Sequence, residues 1–228
     1  MLRKETTTPD MIRLIIELQS SKVLNDFILA GGTALSLQLG HRKSNDIDMF
    51  SINKHDYNEI HKYIHNNYNN VDTIYNDETS LQLYINKIKV DMVSIKGNIL
   101  ETPIKDDGIV LYGLKDISAM KLLSIQGRKE PKDYVDIAYL IETIGLENMI
   151  KCYKEKYDKS DTIDVKKALA STGQVNPFKW ENISMIRDDI PLSMVKRVID
   201  DALFDYEKYN EKYIKHNIFS NIMNKRRK

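Results

Sequence analysis

The chain has 228 residues, of which 42% are hydrophobic and 29% charged, and its formal net charge at pH 7 is +1. This length accommodates one large domain or two small ones, and the composition is typical of a globular protein and excludes global disorder. The single cysteine excludes an intrachain disulfide framework, and no apolar stretch approaches the length of a membrane span. We therefore expect a cytoplasmic protein without a membrane partner.

In chain order, the pattern of apolar residues predicts eight elements in the first half. They are a helix, a buried strand, a short helix, a strand, a helix and three strands, over residues 10–24, 26–32, 33–40, 46–50, 54–68, 71–75, 80–86 and 88–95. Thr33 and Gly40 are predicted to cap the two ends of the short helix.

In the second half the pattern changes to helices, beginning with residues 114–128 and 131–145. The change predicts an α+β protein with a boundary near residue 112. A mixed α/β domain would cover residues 1–112 and a helical domain residues 113–228. Neither half looks complete alone, so we expect the two to share one face and together form a cleft.

Charge is distributed unevenly between these halves. The first carries a net charge of −3 and the second +4. The final four residues, Lys225 to Lys228, account for as much positive charge as that excess. Such a basic end either contacts a phosphate backbone or simply solubilises a helix terminus, and the sequence leaves both open.

Two aspartates alternate with apolar residues on the predicted strand at 46–50. Asp46 and Asp48 point to one face, because side chains on a strand alternate, while Ile47 and Met49 point to the opposite, buried face. Two carboxylates held this close need compensation, and a divalent cation provides it. A lone D-x-D pair is a weak indication of a metal site, so its interpretation depends on the residues around it.

A glycine pair precedes these aspartates, at the end of a strand and the start of a helix. Gly31 and Gly32 would let the backbone approach a phosphate closely, and Thr33 would add a hydroxyl. Without the aspartates, a tight turn would explain the glycines equally well. Polyphosphate at a helix N-terminus and a cation on a carboxylate pair are complementary parts of a nucleotide site.

A third acid lies on the predicted strand at 88–95. Asp91 faces the same way as Lys89 and opposite to the apolar residues of that strand. If this strand pairs beside the one carrying Asp46 and Asp48, the three carboxylates form one cluster. Such a cluster suits two metal ions, which bind the attacking and leaving oxygens of a phosphoryl-type transfer.

The helix at 114–126 is apolar almost all round and contains Lys121. A buried lysine needs an anion, and a nucleotide phosphate or Asp136 would serve; the alternative is a lysine whose ammonium reaches solvent at a domain edge. Asp136 sits among apolar residues and also needs a partner, unless it forms an i,i+4 surface pair with Lys132. We rank Asp133 lower, because a carboxylate in the first helical turn is favourable by itself.

Arg42 and Ser44 lie in the loop before the aspartate pair. Arg42 is a candidate phosphate ligand there, although loop arginines are commonly just solvated.

The run GGTALSLQLGHRKSNDIDMF, with VDM on a later strand, resembles the nucleotidyltransferase fold of the DNA polymerase β superfamily. Within it, this run and the later LKDISAMKLLSIQGRKEPKDYVDIAYL resemble the AbiEii/AbiGii-type toxins. The resemblance covers residues 27–141; residues 142–228 match no family we can name. It implies a small mixed sheet flanked by helices.

Position by position, the resemblance implies roles for eight residues. The nucleotide would be bound by Gly31, Gly32, Thr33 and Lys121, and the loop residues Arg42 and Ser44 are further nucleotide-binding candidates on their position alone. Magnesium would be held by Asp46, Asp48 and Asp91, and the last of these would also orient or deprotonate the acceptor hydroxyl. Lys121 and Asp136 match the essential lysine and aspartate of the family's helical block.

The resemblance also implies an activity and partners. The protein would be a magnesium-dependent nucleotidyltransferase that transfers a nucleoside monophosphate from an NTP to an RNA hydroxyl, with the 3′ end of tRNA as candidate. It would be the toxin of a bacterial toxin–antitoxin or phage-defence pair with a separate antitoxin protein. The alternatives are an aminoglycoside-type nucleotidyltransferase, a phosphotransferase acting on a partner protein, and a catalytically silent scaffold.

Overall fold

A computed structural model describes the backbone of residues 1–225 and the side chains of residues 1–176 and 179–209. Eight α-helices lie in this part of the chain: α1 Pro9–Ser20, α2 Gly31–Leu39, α3 Tyr57–Asn67, α4 Leu114–Gly127, α5 Pro131–Ile144, α6 Leu146–Tyr157, α7 Ile163–Ala170 and α8 Leu192–Lys225. Three short 3-10 helices cover Lys4–Thr6, Ser171–Gln174 and Pro177–Asn182. The side chains of the basic segment 225–228 fall outside the described residues, so its two interpretations stay open.

Seven strands form a single mixed sheet in the order β3-β4-β5-β2-β1-β7-β6. They are β1 Ile28–Ala30, β2 Asp46–Ser51, β3 Val71–Asn76, β4 Ser80–Ile85, β5 Ile88–Ser94, β6 Ile104–Asp106 and β7 Ile109–Leu111. β2 runs parallel to β5 and antiparallel to β1, and β1 runs parallel to β7. The predicted fold, a mixed sheet flanked by helices and followed by further helices, is confirmed.

Three local predictions are corrected by the structure. The hairpin of β6 and β7 lies where no strand was predicted, because three-residue strands are too short to show a periodicity. The first helix ends at Ser20 rather than at residue 24. Thr33 does not cap α2: the helix begins at Gly31 with Ala30 as its N-cap, while Gly40 does end it in the left-handed conformation.

The core is continuous across both halves of the chain. One face of the sheet is apolar and buried, as the alternation on β2, β4 and β5 requires. α3 packs against β3 and β4, whereas α2 contacts both α4 and α5. Side chains from the sheet and from the later helices belong to one hydrophobic cluster. The boundary near residue 112 falls between β7 and α4, and the division into two domains stays a prediction.

A buried ion pair fastens the loop after β5 to the helices. Lys156 of α6 lies 2.6 Å from the carboxylate of Asp116 of α4, and both side chains are fully buried. The ammonium also donates to the carbonyl of Asn98 at 2.7 Å and lies over the ring of Tyr112. Asp116 in turn accepts the backbone N–H of Leu100. Every charge in this cluster therefore has a partner.

We predict that Lys156→Met lowers the free energy of unfolding by about 3–5 kcal/mol, because it leaves the Asp116 carboxylate buried without its cation. Urea denaturation at pH 7 measures the change. Lys151→Met, on the exposed side of the same helix, is the matched control and should stay within about 0.5 kcal/mol of the wild type. Equal effects of the two substitutions would show that the buried pair is not a main determinant of stability.

Candidate active site

Three carboxylates lie side by side on the face of the sheet opposite the apolar one. On β2 the burial alternates, so that Ile47 and Met49 are fully buried while Asp46 and Asp48 are partly exposed on the other side. β5 pairs in parallel with β2, and its register places Asp91 directly beside Asp48. Neighbouring strands are about 4.8 Å apart. The prediction that the three acids share one face is confirmed.

The three carboxylates differ in their partners. Asp46 accepts from Lys132 at 3.0 Å, and Asp91 accepts from Lys89 and from the amide of Gln82, each at 2.8 Å. Asp48 has no hydrogen bond or ion pair within the described residues. Burial, and next the charge of Asp91, raises the pKa of Asp48 to about 6. The central carboxylate is therefore the one that lacks a positive charge.

The partners of the three carboxylates determine which of their oxygens are available to a metal ion. Within the described part of the chain, no three His, Cys, Asp or Glu side chains already converge on a common point, since Asp46 and Asp91 carry the ion pairs with lysine. Asp48 nevertheless provides two free carboxylate oxygens next to two further acids. Oxygen ligands of this kind are those that Mg²⁺ prefers. The residues fit a divalent cation centred on Asp48, and the number of ions stays a prediction.

The glycine pair is required by close contacts to these side chains. Gly31 has φ +64°, and a Cβ there would overlap the Asp48 carboxylate. A Cβ at Gly32 would overlap the guanidinium of Arg42. Both glycines thus bring the N-terminus of α2 against the charged groups of the cleft. The positive φ of Gly31 also shows that the chain turns tightly here. The same glycine therefore makes the turn and brings the start of α2 close to the charged side chains.

Thr33 and Ser44 connect α2 to β2. The Thr33 hydroxyl is fully buried and donates to the backbone carbonyl of Asp46, and it lies 2.8 Å from the hydroxyl of Ser44, which is also buried. Thr33 lines none of the cavities beside the carboxylates described below. Its hydroxyl therefore holds the helix to the strand, and a phosphate contact of Thr33 stays a prediction. Ser44 does line the cleft.

A buried network of charges lies behind the carboxylates, centred on Asp136 of α5. Its carboxylate accepts from Arg42 Nε at 2.6 Å and Nη2 at 2.9 Å, and it lies 2.6 Å from the ammonium of Lys121. It also accepts from His41 Nε2 at 2.8 Å. Asp136 is fully buried, and the side chains of Lys121 and Arg42 are each only 5% exposed. We refer to Asp136, Arg42, Lys121, His41 and Asp133 as the charge network.

The network decides between the alternatives for Lys121 and Asp136. Lys121 bridges Asp136 and Asp133, the latter at 2.8 Å, so the predicted partner Asp136 is confirmed and a lysine reaching solvent is wrong. The surface pair of Asp136 with Lys132 is also wrong, because Lys132 pairs with Asp46.

The structure also corrects the expectations for Asp133 and Arg42. Asp133 is fully buried and accepts from Lys121 and from Arg128, so a favourable place in the first helical turn does not account for it. Arg42 is not a solvated loop residue. Its guanidinium faces Asp136, which makes it a positioning residue whose outer nitrogen reaches the cleft.

The charges in the network keep their ionised forms. Burial alone would raise the pKa of Asp136, but Arg42 and Lys121 hold it well below its ordinary value. Burial would lower the pKa of Lys121, but Asp136 and Asp133 outweigh it and raise the pKa. Burial lowers the pKa of His41, so its ring is neutral and donates from Nε2 to the ionised carboxylate.

With these ionisation states, the back of the cleft carries one more positive than negative charge. Two carboxylates, Asp133 and Asp136, face three cations, namely Arg42, Lys121 and Arg128. The uncompensated carboxylate of Asp48 lies in front of them. The cleft thus combines a site for a cation with a wall that attracts anions.

Two cavities open beside the carboxylates. One, of about 440 Å³, is polar and is lined by Lys43, Asn45, Asp46, Lys132 and Lys179 among others. The other, of about 480 Å³, is lined by Asp48, Asp91 and Arg128 together with the apolar side chains of Phe50, Val93, Met120 and Leu123. Polyphosphate suits the first kind of lining, and a base or ribose suits the second.

Several site residues were not anticipated from the sequence: His41, Gln82, Lys89, Arg128 and Lys132. Lys132 stands next to Asp133 in the segment that resembles the toxin family, but its spacing to Asp136 suggested a surface pair. Lys89 shares a strand face with Asp91. No pattern in the sequence marks the others: the partner of His41 lies 95 residues away, and the partners of Gln82 and Arg128 lie on the next strand and the next helix.

The fold and the site together define a nucleotidyltransferase: a mixed sheet presents three acids on adjoining strands, beside a glycine pair at a helix N-terminus. The family model for the nucleotidyl transferase AbiEii toxin, type IV toxin–antitoxin system, matches residues 13–210. The chain therefore belongs to the AbiEii toxin family, as its two sequence motifs indicated. The match also extends beyond residue 141, into the helices that had resembled nothing.

The chain is also similar to individual proteins in sequence or in fold. The chain is 30% identical over 174 residues to the uncharacterized protein aq_aa25 of Aquifex aeolicus (strain VF5), an alignment that covers 74% of this chain and 84% of that protein. Its fold is similar to that of JHP933 from Helicobacter pylori, with a TM-score of 0.57, 14% identity, and 92% and 94% of the two chains covered.

A further solved structure with this fold is MenT4, a nucleotidyltransferase toxin from Mycobacterium tuberculosis H37Rv. Its TM-score is 0.55 at 14% identity, with 86% of this chain and 82% of that chain covered. At such identities the structures support the fold. No helix in the described residues is long and apolar enough to cross a membrane.

We predict that Asp136→Asn lowers the free energy of unfolding by about 3–5 kcal/mol at pH 7, because Arg42 and Lys121 lose their shared counter-charge. The folded-state pKa of Asp136 is depressed, so its contribution is present above the unfolded value near 3.8 and is lost as pH falls below it. Urea denaturation should therefore show a constant difference above about pH 5 that narrows below pH 4. A difference independent of pH down to pH 2 would contradict an ionised Asp136.

We also predict that Gly31→Ala reduces catalysis at least about 100-fold, because its Cβ displaces the Asp48 carboxylate. Gly145→Ala is the matched control: Gly145 has φ +79°, with open space where a Cβ would lie. Both variants should lose about 1–3 kcal/mol of stability from backbone strain. Initial rates of nucleotide transfer distinguish them, and equal rates would show that the Gly31–Asp48 contact does not matter for activity.

Proposed function

We propose that the protein transfers a nucleoside monophosphate from an NTP to a hydroxyl of RNA, with the 3′ end of tRNA as the acceptor, in a magnesium-dependent reaction that releases pyrophosphate. The observation that carries the proposal is the unpaired carboxylate of Asp48, which lies between Asp46 and Asp91 and against Gly31. Membership of a nucleotidyltransferase family supports the reaction type.

The carboxylates would hold the cation. Asp48 and its two neighbours, Asp46 and Asp91, would supply the oxygens, and the ion pairs of Asp46 with Lys132 and of Asp91 with Lys89 would have to open for those two carboxylates to take part. Mg²⁺ held there, as one ion or two, would neutralise the charge that develops on the phosphate oxygens. The two lysines would then be available to a polyphosphate.

The back wall would hold the polyphosphate. The N-terminus of α2 at Gly31 and Gly32 provides backbone N–H groups that have no partner within the helix. Lys121 adds its charge from behind, and Arg42, fixed by Asp136, directs its outer nitrogen toward Gly32. Such fixed donors stabilise anionic oxygens without having to reorganise during the reaction.

Asp91 would orient the acceptor. It borders the apolar cavity, so a ribose entering from that side brings its hydroxyl to the carboxylate. The hydroxyl oxygen forms a bond to the α-phosphorus as the bond to pyrophosphate breaks, and its proton passes to Asp91. The protein mainly positions the two substrates.

The family also suggests a biological setting. AbiEii proteins are toxins of a toxin–antitoxin system, so we propose that this chain acts in the bacterial cytoplasm, is controlled by a separate antitoxin protein and contributes to phage defence. The positive wall and the acids also suit a small-molecule nucleotidyltransferase or a phosphotransferase. The intact acid trio argues against a silent scaffold.

One labelling experiment separates these possibilities. Purified protein is incubated with Mg²⁺ and each of the four NTPs, labelled in turn at the α and the γ phosphate, together with total tRNA, an aminoglycoside, or no acceptor. We expect α-label on tRNA only. α-Label on the antibiotic would indicate the small-molecule enzyme, and γ-label on protein would indicate the phosphotransferase.

Asp48→Asn tests the site itself and should abolish the α-label on tRNA. Asp72→Asn is the matched control, because Asp72 lies in the same cross-strand row as Asp46 but on the exposed edge strand β3. It should retain near-wild-type activity. Full activity in Asp48→Asn would rule out the proposed centre.

A further inference from the structure

A groove at the C-terminal end of α4 belongs to no part of the site described so far. It is lined by Gln126 near the end of α4, by Lys129 just after it, by α7 and by the 3-10 helix Ser171–Gln174, and its volume is about 610 Å³. This exceeds either cavity beside the carboxylates. We call it the α4–α7 groove.

The groove adjoins the active site through a single turn of chain. Gln126 and Lys129 line the groove, whereas Gly127 and Arg128, between them in sequence, line the apolar cavity that contains Asp91. A Cβ added to Gly127 would meet nothing within 4 Å. The turn at Gly127 is therefore open on the side where a side chain would lie.

The lining of the groove suits a chain of phosphates. Lys129, just after α4, and Lys167, on α7, are both exposed at the groove. In the described part of the chain Lys129 has no carboxylate within 4 Å, and it donates to the side chain of Gln174 at 2.5 Å. Lys167 lies 3.8 Å from Asp164, the one acid in the lining.

Neutral polar groups in the lining of the groove also suit a chain of phosphates. Gln126, Ser171 and Gln174 supply polar groups between the two lysines, and Arg128 extends the positive charge to the edge of the active site, with its side chain 54% exposed. Lysines at intervals with neutral hydrogen-bonding groups between them are typical of contacts to a nucleic-acid backbone, which are not base-specific. A cationic antibiotic would be repelled here.

We propose that the α4–α7 groove binds the phosphodiester backbone of the acceptor polynucleotide, upstream of the 3′ nucleotide that lies at Asp91. The inference rests on the proposed function, since it takes RNA as the acceptor. It adds that recognition of the acceptor comes from the helical half of the chain, at a place distinct from the chemistry. Lys129 and Lys167 contact phosphates there and take no part in the transfer.

The test compares a long acceptor with a short one. For Lys129→Gln/Lys167→Gln, kcat/KM for total tRNA at low salt should fall on the order of tenfold. The plot of log kcat/KM against log salt should become shallower by about 1.4, because each single-strand phosphate contact accounts for roughly 0.7. Transfer to the nucleoside adenosine, which has a 3′ hydroxyl but no phosphate for the groove to bind, should stay within about twofold of the wild type.

The control removes the same charge elsewhere. Lys22→Gln/Lys62→Gln alters two exposed lysines of the first half that line no cavity described above, and it should leave the salt slope unchanged. Equal effects of the two double variants, or an unchanged slope in the groove variant, would overturn the inference.

A competitor identifies the ligand class. Inhibition of tRNA labelling by a polynucleotide with a blocked 3′ end, lost in the groove variant, supports the inference. Inhibition by polyglutamate alone would assign the groove to an acidic protein and overturn it. If wild-type protein labels neither tRNA nor adenosine, the proposed function fails instead, and the two failures are thus distinguishable.

Discussion

The site depends on one buried carboxylate. Asp136 accepts from Arg42, Lys121 and His41, which come from the loop before β2 and from α4, while Asp136 itself belongs to α5. Burying any one of these charges alone would cost several kcal/mol, and only the complete set compensates that cost. The network therefore fixes the helical half against the sheet, and with it the walls of the cleft. Packing alone would hold these elements together but would not select this arrangement of charges.

The network also determines how charge is divided across the cleft. Behind the cleft, three cations face two carboxylates, and in front of them Asp48 has no counter-ion among the described residues. A nucleoside triphosphate with its metal ion would complement both, with its phosphates toward the cations and its metal toward the acids. The two glycines matter because they let the helix end approach both sides.

The sequence was sufficient for features that depend on local periodicity. Alternation placed Asp46 and Asp48 on one face, with Asp91 beside them only if its strand paired with theirs, and the apolar surroundings of Lys121 and Asp136 indicated that each needs a partner. Features that depend on distant partners were not accessible. Arg42 looks like an exposed loop residue until α5 covers it, and Asp133 looks satisfied by its own helix. The Thr33 hydroxyl illustrates the same limit, because its position fits a phosphate ligand as well as a contact to β2.

The most direct test of the account is the position of a metal ion and a nucleotide in the cleft. Crystals grown with Mn²⁺ and a non-hydrolysable NTP analogue would locate the metal by anomalous scattering, since Mn²⁺ accepts the same oxygen ligands as Mg²⁺. We predict a peak bonded to Asp48, with the polyphosphate against Gly31 and Gly32 and with Lys132 released from Asp46. A metal bound elsewhere, with Asp48 still unliganded and the nucleotide outside the cleft, would contradict the account.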